Sequence, residues 1–551
     1  MRYSKLAVGA IGALSAILLG GCGSKSASTA KKDSFSWSTG AEISTIDMSK
    51  ASDTVSFDQL RNTMEGLYRT GKKGKLMPAL ATKSTVSKDG KTYTFYLRKS
   101  KWSDGSPVTA RDFVYSWRRT CDPKTASEYA YLFEGIKNAA AVTAGKKPVS
   151  ALGVKADGDY KLVVSLDRRI PYFKHLMSFA LFFPQSEKTV KKYGDKYGTA
   201  SKYMLYNGPF VQKGWTGSNL SWKMVKNKYY WDKKNVKVSK ISWSVQKTPS
   251  TAYNLYQSNR LDALSLDSSQ TKQLKNNSAF TLINSGGTAY LQYNLQKDKN
   301  LANANIRKAI SLAIDRTGLC STLGGNNQPA KTFTTADLLY VNGKDYVSGV
   351  AKSSTVYNKY DKKLAKKYFK QGLAELGTSK ISVSILADDT DSGKKTVEAL
   401  QSQLEQTLPG IHVDTVTVPF KTRMARREAG KFDIMVSTWI ADFTDPISFL
   451  DLLTSGNTRN YGKWKSSQYD ALIAASKTTA SSSQRISDLQ KAEGILMKDE
   501  GITPLYYMST AWLIRKDIHA VYNDNLGGWQ FKYAYVKEQK KILKNKKCFQ
   551  K

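Results

Sequence analysis

An acidic residue stands among aromatic residues in the stretch STWIADFTDPISFL, which covers residues 437–450. Asp442 follows Trp439 by three positions and directly precedes Phe443. Burying an unpaired carboxylate among such side chains is costly, so a cation or hydrogen-bond donors normally accompany it. The chemistry that these residues predict is capture of a positively charged group by Asp442. A helix cap or a surface ion pair is the alternative interpretation.

Other reactive residue types are scarce. The three histidines, His175, His412 and His519, lie far apart in sequence, and the four cysteines include no CxxC pair. We find no HExxH helix and no GxSxG elbow, the motifs of zinc peptidases and serine hydrolases. The sequence therefore favours a binding protein over an enzyme and predicts no catalytic residue, metal site or cofactor.

The segment before Asp442 predicts an α/β unit. Two segments with alternating polarity, 381–387 and 411–418, flank a helical apolar pattern over 397–404. A short helix over 421–430 and a third strand over 432–439 follow. Strands connected through helices in this order form a mostly parallel sheet with right-handed crossovers.

The strand order also predicts where Asp442 lies. In open sheets of parallel strands, ligands bind in the crevice beyond the carboxyl ends of the strands. Asp442 comes just after the third predicted strand. We therefore expect its carboxylate at the mouth of a ligand-binding crevice.

Further elements are predicted on both sides of this unit. Asp89-Gly90 is a hairpin turn signal, and Thr109 is a candidate helix start. Apolar residues recur at helical spacing over 306–314 and again over 486–496. Both helices are expected to face a core.

The chain begins like an exported bacterial protein. Basic residues precede an apolar run over 6–19, which is too short to span a bilayer comfortably. The Leu-Gly-Gly-Cys that ends at Cys22 resembles a bacterial lipobox. These features predict a signal peptide over 1–21 and lipidation of Cys22 on a solvated tether over 22–34. A plain signal peptide with an incidental cysteine is the alternative.

Length and charge limit the possible classes of protein. The chain has 551 residues, 40% of them hydrophobic, which is enough for two or more domains. The net charge is +40, a balance also seen in nucleic-acid-binding proteins. Lysines are spread along the whole chain, however, and no nucleic-acid-binding pattern appears. We therefore expect a solvated surface that faces an anionic cell wall, and no nucleic-acid partner.

A series of stretches matches one protein family in order and spacing. They are STIDMSKASD (44–53), MEGLYR (64–69), TYTFYLRKSKWSDGSPVTARDFVYSWRR (92–119), DPKTASEYAY (122–131), YNGPF (206–210), NKYYWD (227–232), IRKAISLAIDR (306–316), WIADFTDPISFLDLL (439–453) and PLYY (504–507). With these stretches the chain resembles the oligopeptide-binding (OppA-like) group, family 5 of the extracytoplasmic solute-binding proteins of peptide ABC importers.

The resemblance implies an α/β fold of two lobes, the periplasmic-binding-protein-like type II (cluster C) fold, with a subdomain inserted in the N-terminal lobe. The implied lobe one comprises residues 35–77, 206–288 and 512–551. Its inserted subdomain comprises residues 78–205. The implied lobe two comprises residues 289–511.

The resemblance also implies a function. A protein of this group captures extracellular oligopeptides between its lobes and passes them to a membrane permease that a separate ATPase drives. It would be a lipid-anchored monomer on the outer face of a Gram-positive cell membrane. A receptor for peptide pheromones, or for dipeptides or other solutes, is the alternative within the same fold.

Site residues follow from the resemblance position by position. Asp442 would bind the α-ammonium group of the peptide, while Trp439 and Phe420 would line side-chain pockets; core packing is the alternative for these two aromatic residues. The peptide main chain would pair with residues 436–440 as an extra strand. The other implied contact residues are Thr438 and Ile440 on that strand, and Ala51, Ser52, Asp53, Thr54, Tyr129 and Tyr131.

One position departs from the family pattern. Some members carry a basic residue on this strand to meet the carboxylate of the peptide, where this chain has Val436. Arg427 remains a candidate for that contact. The departure favours longer peptides that are held mainly through their backbone.

Overall fold

The structure, a computed structural model, describes residues 33–537 except 73–74, 325, 480, 525 and 527. Cys22, the predicted signal peptide and nearly all of the predicted tether therefore lie outside the described residues. None of the described helices combines the length and the apolar composition that are needed to cross a bilayer.

Fifteen of the described strands build the two larger sheets. In chain order they are β1 (Ser34–Thr39), β2 (Ala81–Val86), β3 (Thr92–Leu97), β4 (Val154–Ala156), β5 (Lys161–Ser165), β6 (Phe210–Lys213), β7 (Ser221–Lys226), β8 (Lys240–Val245), β9 (Ala263–Ser265), β10 (Phe280–Tyr293), β11 (Gln328–Pro329), β12 (Ile381–Asp388), β13 (Ile411–Val418), β14 (Ile434–Ile440) and β15 (Ile502–Ile514). Shorter strands pair two by two: Tyr68–Thr70 with Leu76–Pro78, Ser100–Lys101 with Pro107–Val108, Tyr340–Val341 with Lys344–Asp345, Ile518–His519 with Tyr535–Val536, and Tyr522–Asn523 with Trp529–Gln530.

The described α-helices cover the sheets. They are α1 (Thr54–Thr63), α2 (Ala110–Cys121), α3 (Ala139–Thr143), α4 (Phe173–Leu176), α5 (Glu187–Tyr193), α6 (Pro249–Gln257), α7 (Ser268–Leu274), α8 (Lys299–Ala302), α9 (Ala304–Ala313), α10 (Arg316–Thr322), α11 (Lys362–Leu376), α12 (Asp391–Thr407), α13 (Phe420–Glu428), α14 (Ile447–Leu450), α15 (Ser467–Thr478) and α16 (Ser482–Asp499).

Two long strands join the halves of the main sheet. Its order is β6-β7-β8-β1-β9-β15-β10-β14-β12-β13, with β11 paired to β15 off this path. The antiparallel partners β10 and β15 have 14 and 13 residues. We call the part that carries β1–β9 the first lobe and the part that carries β11–β14 the second lobe; β10 and β15 contribute to both.

The predicted α/β unit forms part of the second lobe. β12 pairs in parallel with β13 along its whole length and with β14 through two residue pairs. The helices α12 and α13 connect these strands in the predicted order. The prediction of a mostly parallel sheet before Asp442 is confirmed.

Local signals in the first lobe also predicted the observed elements. β2, β3, β5 and β4 form a separate antiparallel sheet in that order. Gly90, in the turn between β2 and β3, has a φ of +73°, a conformation that glycine adopts without strain. Helix α2 begins after Thr109, whose backbone N–H donates to Asp112 Oδ2 over 2.7 Å, a capping interaction of the kind that fixes helix starts.

Both lobes have buried apolar residues. In α9, Ile306, Ala309 and Ile310 are buried in the core of the second lobe, as the apolar face over 306–314 predicts. In the first lobe, Trp37 of β1 is fully buried, and its ring centroid lies 4.9 Å from that of Trp529.

Candidate ligand-binding site

A cavity lies between the two lobes, at the carboxyl end of β14. The second lobe contributes the end of β14, the residues that follow it and one face of α13: Thr438, Trp439, Ile440, Ala441, Asp442, Phe420, Arg423, Met424 and Arg427. The first lobe contributes two groups of residues, Ser52, Asp53, Thr54, Phe57, Arg61, Thr70 and Tyr129, and Ser178, Phe179, Ala180, Asp524, Leu526 and Gln530.

Asp442 is held at the strand end by the residues after it. Its backbone N–H donates to Ser448 Oγ over 2.9 Å, and Ser448 belongs to α14. Just before that helix, Asp445 forms a two-pronged ion pair with Arg485, with distances of 2.7 and 2.9 Å. Arg–carboxylate pairs of this geometry fix orientation strongly. The backbone therefore presents the Asp442 carboxylate to the cavity in a defined position.

The two oxygens of the Asp442 carboxylate have different surroundings. The Tyr129 hydroxyl donates to Oδ1 over 3.4 Å, whereas Oδ2 is buried and has no hydrogen-bond partner among the described residues. Burial raises the pKa of Asp442 to about 7, although Arg459, the Tyr129 hydroxyl and Arg61 act in the opposite direction. A buried acceptor without a partner is costly, so this oxygen favours a ligand that brings a positively charged donor.

A buried arginine lies beside Asp442 without satisfying it. The Arg459 guanidinium lies 4.3 Å from the ring centroid of Tyr129 and 5.1 Å from that of Trp439. Its Nη1 donates to Glu128 Oε2 over 2.6 Å. Its charge is therefore shared with Glu128 and two aromatic faces. The sequence reasoning missed Arg459, which comes from a loop without any periodic pattern.

One edge of β14 is open. β12 pairs with it only through Ile385 opposite Ile434 and Leu386 opposite Met435. Beyond Met435 this edge of the strand has no ladder partner among the described residues, whereas the opposite edge pairs with β10 throughout. Strand residues carry a backbone N–H and a C=O, and unpaired edges accept an added strand. An extended chain can therefore pair with residues 436–440.

One face of α13 borders this open edge. Phe420, Arg423, Met424 and Arg427 have helical spacing and all line the cavity. Arg423 Nε donates to Asp388 Oδ1 over 2.5 Å. The Nε of Arg427 is buried without a hydrogen-bond partner among the described residues. The face thus combines apolar surface with two guanidinium groups; Nη2 of Arg427 lies 3.3 Å from Glu428 Oε1 and 3.5 Å from Glu128 Oε2.

Charged residues of the first lobe form the opposite wall, and the sequence reasoning missed them. Arg61 Nη1 lies 2.6 Å from Asp524 Oδ2, and its Nε lies 3.5 Å from Asp58 Oδ1. Burial raises the pKa of Asp58 to about 7, partly opposed by Arg61. Gln530 Oε1, next to Asp524, is buried and has no partner among the described residues. The wall therefore adds a polar acceptor to the cavity.

The two lobes are in direct contact at several points outside the cavity. Lys477 of the second lobe lies 2.7 Å from Glu134 Oε2 of the first lobe. Lys395 Nζ, also in the second lobe, donates to Ser268 Oγ of the first lobe over 2.7 Å. With the Arg459–Glu128 bond, these contacts show that the lobes are closed on one another.

The structure brings most of the predicted site residues together. Ten of them line the cavity: Ser52, Asp53, Thr54, Tyr129, Phe420, Arg427, Thr438, Trp439, Ile440 and Asp442. Ala51 and Tyr131 are not among the lining residues: Ala51 is buried, and Tyr131 stacks on Tyr129 at a centroid distance of 6.0 Å. The Asp53 carboxylate caps α1 and accepts from Ser56, so only its backbone is available. Val436 packs against the core of the second lobe.

Comparison with known families gives one match over most of the chain. The model of the bacterial extracellular solute-binding proteins, family 5, middle part, matches residues 75–461. A dipeptide-binding protein of Lactococcus lactis is 35% identical over 95% of this chain and 98% of its own length. The oligopeptide-binding protein OppA of Bacillus subtilis is 32% identical over 95% of this chain and 97% of its own length.

Solved structures are similar over almost the whole described chain. The structure of Listeria monocytogenes OppA bound to peptide superposes with a TM-score of 0.88 and 37% identity, over 92% of this chain and 100% of that one. The murein tripeptide binding protein MppA of Escherichia coli gives 0.85 in one structure, at 27% identity over 93% and 99% of the two chains. Its unliganded open form gives 0.62, at 28% identity over 92% and 98%. The lower value for the open form agrees with the closed lobes seen here.

Proposed function

The chain belongs to family 5 of the bacterial extracellular solute-binding proteins, and from this premise we propose that it is the peptide-binding receptor of an ABC importer. The names of the two relatives and the peptide bound in the Listeria monocytogenes structure support peptides as the ligand class. In this proposal the receptor captures extracellular peptides between its lobes and delivers them to a membrane permease, which a separate ATPase drives.

The observation that carries the proposal is the unpartnered Oδ2 of Asp442. The α-ammonium group of a peptide brings the charge and the three donors that this oxygen lacks. A buried ion pair is favourable only when geometry and further hydrogen bonds compensate for desolvation. The Tyr129 hydroxyl and the fixed backbone at Ser448 supply that geometry. Asp442 is thus the proposed anchor of the peptide N-terminus.

The open edge of β14 supports binding of the peptide backbone. Residues 436–440 span about 17 Å at roughly 3.4 Å per strand residue, which is longer than a dipeptide. Pairing with this edge reads the backbone and leaves the ligand sequence largely unread. The proposed ligands are therefore oligopeptides. Since one relative is named a dipeptide-binding protein, dipeptides are the second candidate class.

Side-chain contacts are assigned from the lining residues. Trp439 and Phe420 provide apolar surface for ligand side chains, next to Tyr129. Ser52 and Thr54 offer further polar contacts from the first lobe. Arg427 is the candidate for pairing with a carboxylate of the ligand, because Val436 supplies no charge; a ligand would compete there with Glu128 and Glu428, which lie near Arg427 Nη2.

The proposal also includes the boundaries of the lobes and the membrane anchor. Lobe one would comprise residues 35–77, 206–288 and 512–551 with the insert 78–205, and lobe two residues 289–511. Both crossings would lie in β10 and β15, near the β-bulge of β10 between Asn284 and Thr288. Lipidation of Cys22 would anchor a monomeric, non-enzymatic receptor on the outer membrane face of a Gram-positive cell.

Calorimetry with matched peptides tests the proposal. Alanine-rich peptides of two to eight residues would be titrated with a free and with an acetylated N-terminus. We expect acetylation to weaken binding by about 30-fold or more, because it leaves a buried charge unpaired. In the Asp442→Asn variant this difference should shrink to a few-fold. The control Asp157→Asn changes an exposed carboxylate outside the cavity and should behave like the wild type.

Each result decides a different part of the proposal. Equal affinity for free and acetylated peptides would contradict the ammonium anchor. Binding of no peptide at all would contradict the ligand class, and turnover of the peptides would indicate an enzyme. A length profile with its maximum at two residues would select dipeptides over oligopeptides.

A further inference from the structure

A surface of the first lobe carries many lysines and almost no carboxylates. It consists of β6, β7 and β8 with the loop between β7 and β8, and we call it the lysine surface. Its eight exposed lysines are Lys213, Lys223, Lys226, Lys228, Lys233, Lys234, Lys237 and Lys240. The same stretch, residues 210–246, contains one acidic residue, Asp232, which is buried.

These eight lysines are not neutralised by the described part of the protein. None of them forms an ion pair with a described residue, and Asp232 pairs with Lys532 over 2.9 Å. The strand register even sets Lys213 of β6 directly opposite Lys223 of β7. Like charges that face each other across strands destabilise the folded protein, and an anionic partner bound at this surface would relieve the repulsion.

Burial alternates along these strands as a one-sided sheet requires. Trp222 and Met224 of β7 face the core, whereas Lys223 between them is exposed. On β8, Ile241 and Trp243 are buried and Lys240 is exposed. Lys213, Lys223 and Lys240 therefore share the solvent face of the sheet. Lys226 stands in register with the buried Phe210 and is exposed at the end of β7, where the loop that carries Lys228, Lys233, Lys234 and Lys237 begins.

The N-terminal chain enters the fold beside this surface. Ser34, the first residue of β1, pairs in register with Lys240, the first residue of β8. The backbone N–H of Ser239 donates to the Asp33 carbonyl over 2.8 Å. Asp33 itself adds one carboxylate against eight lysines. The tether proposed for residues 22–34 therefore joins the fold at the edge of the lysine surface.

We propose that the lysine surface binds the anionic lipid headgroups of the membrane to which the receptor is anchored. The proposal rests on the proposed lipidation of Cys22 for its orientation. Asp33 lies eleven positions after Cys22, which allows about 40 Å when fully extended and roughly 18 Å as a flexible chain. Charge attraction to an anionic surface acts within a Debye length, about 8 Å at physiological salt. The tether permits close approach, and the lysines supply the attraction that holds the first lobe there.

A second basic surface in the other lobe provides an internal control. Helix α11 exposes Lys362, Lys363, Lys366, Lys367 and Lys370. These five lysines are exposed like the eight of the lysine surface, but they belong to the second lobe. Nonspecific adsorption of a protein with net charge +40 would protect both surfaces, whereas the proposed arrangement protects only the lysine surface.

The test is lysine acetylation of the full lipid-anchored protein on vesicles, read by mass spectrometry. Three conditions would be compared. The protein would be anchored in neutral phosphatidylcholine vesicles, in vesicles that contain 30% phosphatidylglycerol, and in neutral vesicles to which a soluble glycerol-phosphate polymer is added. On the anionic vesicles we expect labelling of the lysine surface to slow by about fivefold, with no change on α11. The protection should disappear near 1 M salt, where the Debye length falls to about 3 Å.

The matched variants carry four exposed substitutions each. The quadruple change Lys223→Glu, Lys226→Glu, Lys234→Glu and Lys240→Glu should abolish protection of the remaining lysines and leave peptide affinity within about twofold. The corresponding change of Lys362, Lys363, Lys366 and Lys367 to Glu should leave the protection intact. Flotation with neutral vesicles reports the anchor separately, so a failed anchor is distinguished from a failed lysine surface.

Three results would overturn the proposal. They are equal labelling of the lysine surface on neutral and anionic vesicles, equal protection of the lysine surface and α11, and protection by the soluble polymer without protection by the anionic vesicles. The last of these would identify a soluble anionic polymer as the partner. If the protein does not float with neutral vesicles but binds anionic ones with selective protection of the lysine surface, the lysine proposal is supported and the anchor is refuted.

Discussion

Arg459 of the second lobe donates from Nη1 to Glu128 Oε2 of the first lobe over 2.6 Å. The Tyr461 hydroxyl donates to the same oxygen over 2.7 Å, and Arg427 Nη2 lies 3.5 Å from it. Burial alone would raise the pKa of Glu128, but Arg459 and Arg427 outweigh burial and hold this pKa below its ordinary value. Glu128 is therefore an ionised link between the lobes, next to the proposed peptide anchor.

Glu128→Gln is expected to loosen the closed arrangement. The change removes the carboxylate that forms an ion pair with the buried Arg459, which is strongly unfavourable in a closed cleft and is relieved when the lobes separate. We expect peptide affinity to fall by about tenfold and the radius of gyration of the ligand-free protein to increase. Calorimetry and small-angle scattering measure these two effects.

The control for this change is Glu187→Gln, which breaks an exposed ion pair between Glu187 and Lys191 in α5. Such pairs contribute about 0–1 kcal/mol, so neither affinity nor shape should change. An unchanged radius together with unchanged affinity in Glu128→Gln would show that Glu128 does not hold the lobes together.

The sequence predicted the position of Asp442 because the signals that determine it are local. Alternating and helical patterns of apolar residues between residues 381 and 440 predict the parallel unit β12–β14, and Asp442 follows its last strand. The family resemblance added Tyr129, which lies 313 residues away but within reach of the Asp442 carboxylate. These parts of the site needed no knowledge of how distant segments pack.

The rest of the site depends on such packing. Arg459 meets Glu128 across 331 positions, and Arg61 meets Asp524 across 463. No periodicity in either segment marks these charges as partners. The open edge of β14 is equally hidden, because it depends on where β12 stops pairing with it. Long-range register and the pairing of charged side chains therefore required the structure.

Peptide binding is expected to depend on pH with a maximum between about pH 7 and 8. Burial raises the pKa of Asp442 to about 7, and peptide α-ammonium groups have pKa values near 7.7. Below pH 7 the carboxyl must release a proton before it pairs with the ammonium group, so affinity falls by up to about tenfold per pH unit. Above about pH 8 the peptide loses its own proton. Calorimetry from pH 5 to 9 measures this profile.

Asp442→Asn provides the control and a second readout. The variant should lose the decrease in affinity on the acidic side, while its free-peptide affinity stays low throughout. The pKa of Asp442 is higher in the folded protein than in the unfolded chain. The free energy of unfolding of the wild type therefore falls as the pH rises from the unfolded-state pKa of Asp442 towards 7. The ligand-free variant should therefore be more stable than the wild type by about 1–2 kcal/mol at pH 8, and equally stable at pH 3. An acidic decrease that persists in the variant would assign the titration to another group.

Binding of the peptide as an added strand predicts a period of two in the effect of backbone methylation. Strand residues point their N–H groups alternately towards the two neighbouring strands, so only every second ligand amide can pair with residues 436–440. N-methylation at those positions should weaken binding by about tenfold, and at the positions between them by less than threefold. A series of singly methylated pentapeptides, measured by calorimetry, reads the pattern. A uniform effect along the peptide would contradict strand addition.

Arg485→Met is expected to damage both the fold and the anchor. Arg485 and Asp445 have side-chain exposures of 7% and 10%, and their two-pronged pair fixes the segment that follows Asp442. Breaking a buried pair by removing one partner costs about 3–5 kcal/mol, because the remaining charge is uncompensated. Chemical denaturation should show that loss, and peptide affinity should fall because Asp442 is no longer held by the backbone near Ser448.

Two further variants separate the charge effect from lost packing. Arg111→Met replaces an exposed arginine of α2, and its free energy of unfolding should stay within about 0.5 kcal/mol of the wild type. Combining Arg485→Met with Asp445→Asn removes both charges and should recover part of the lost stability. A double variant no more stable than Arg485→Met would show that packing of the Arg485 side chain, and not its charge, supports the anchor segment.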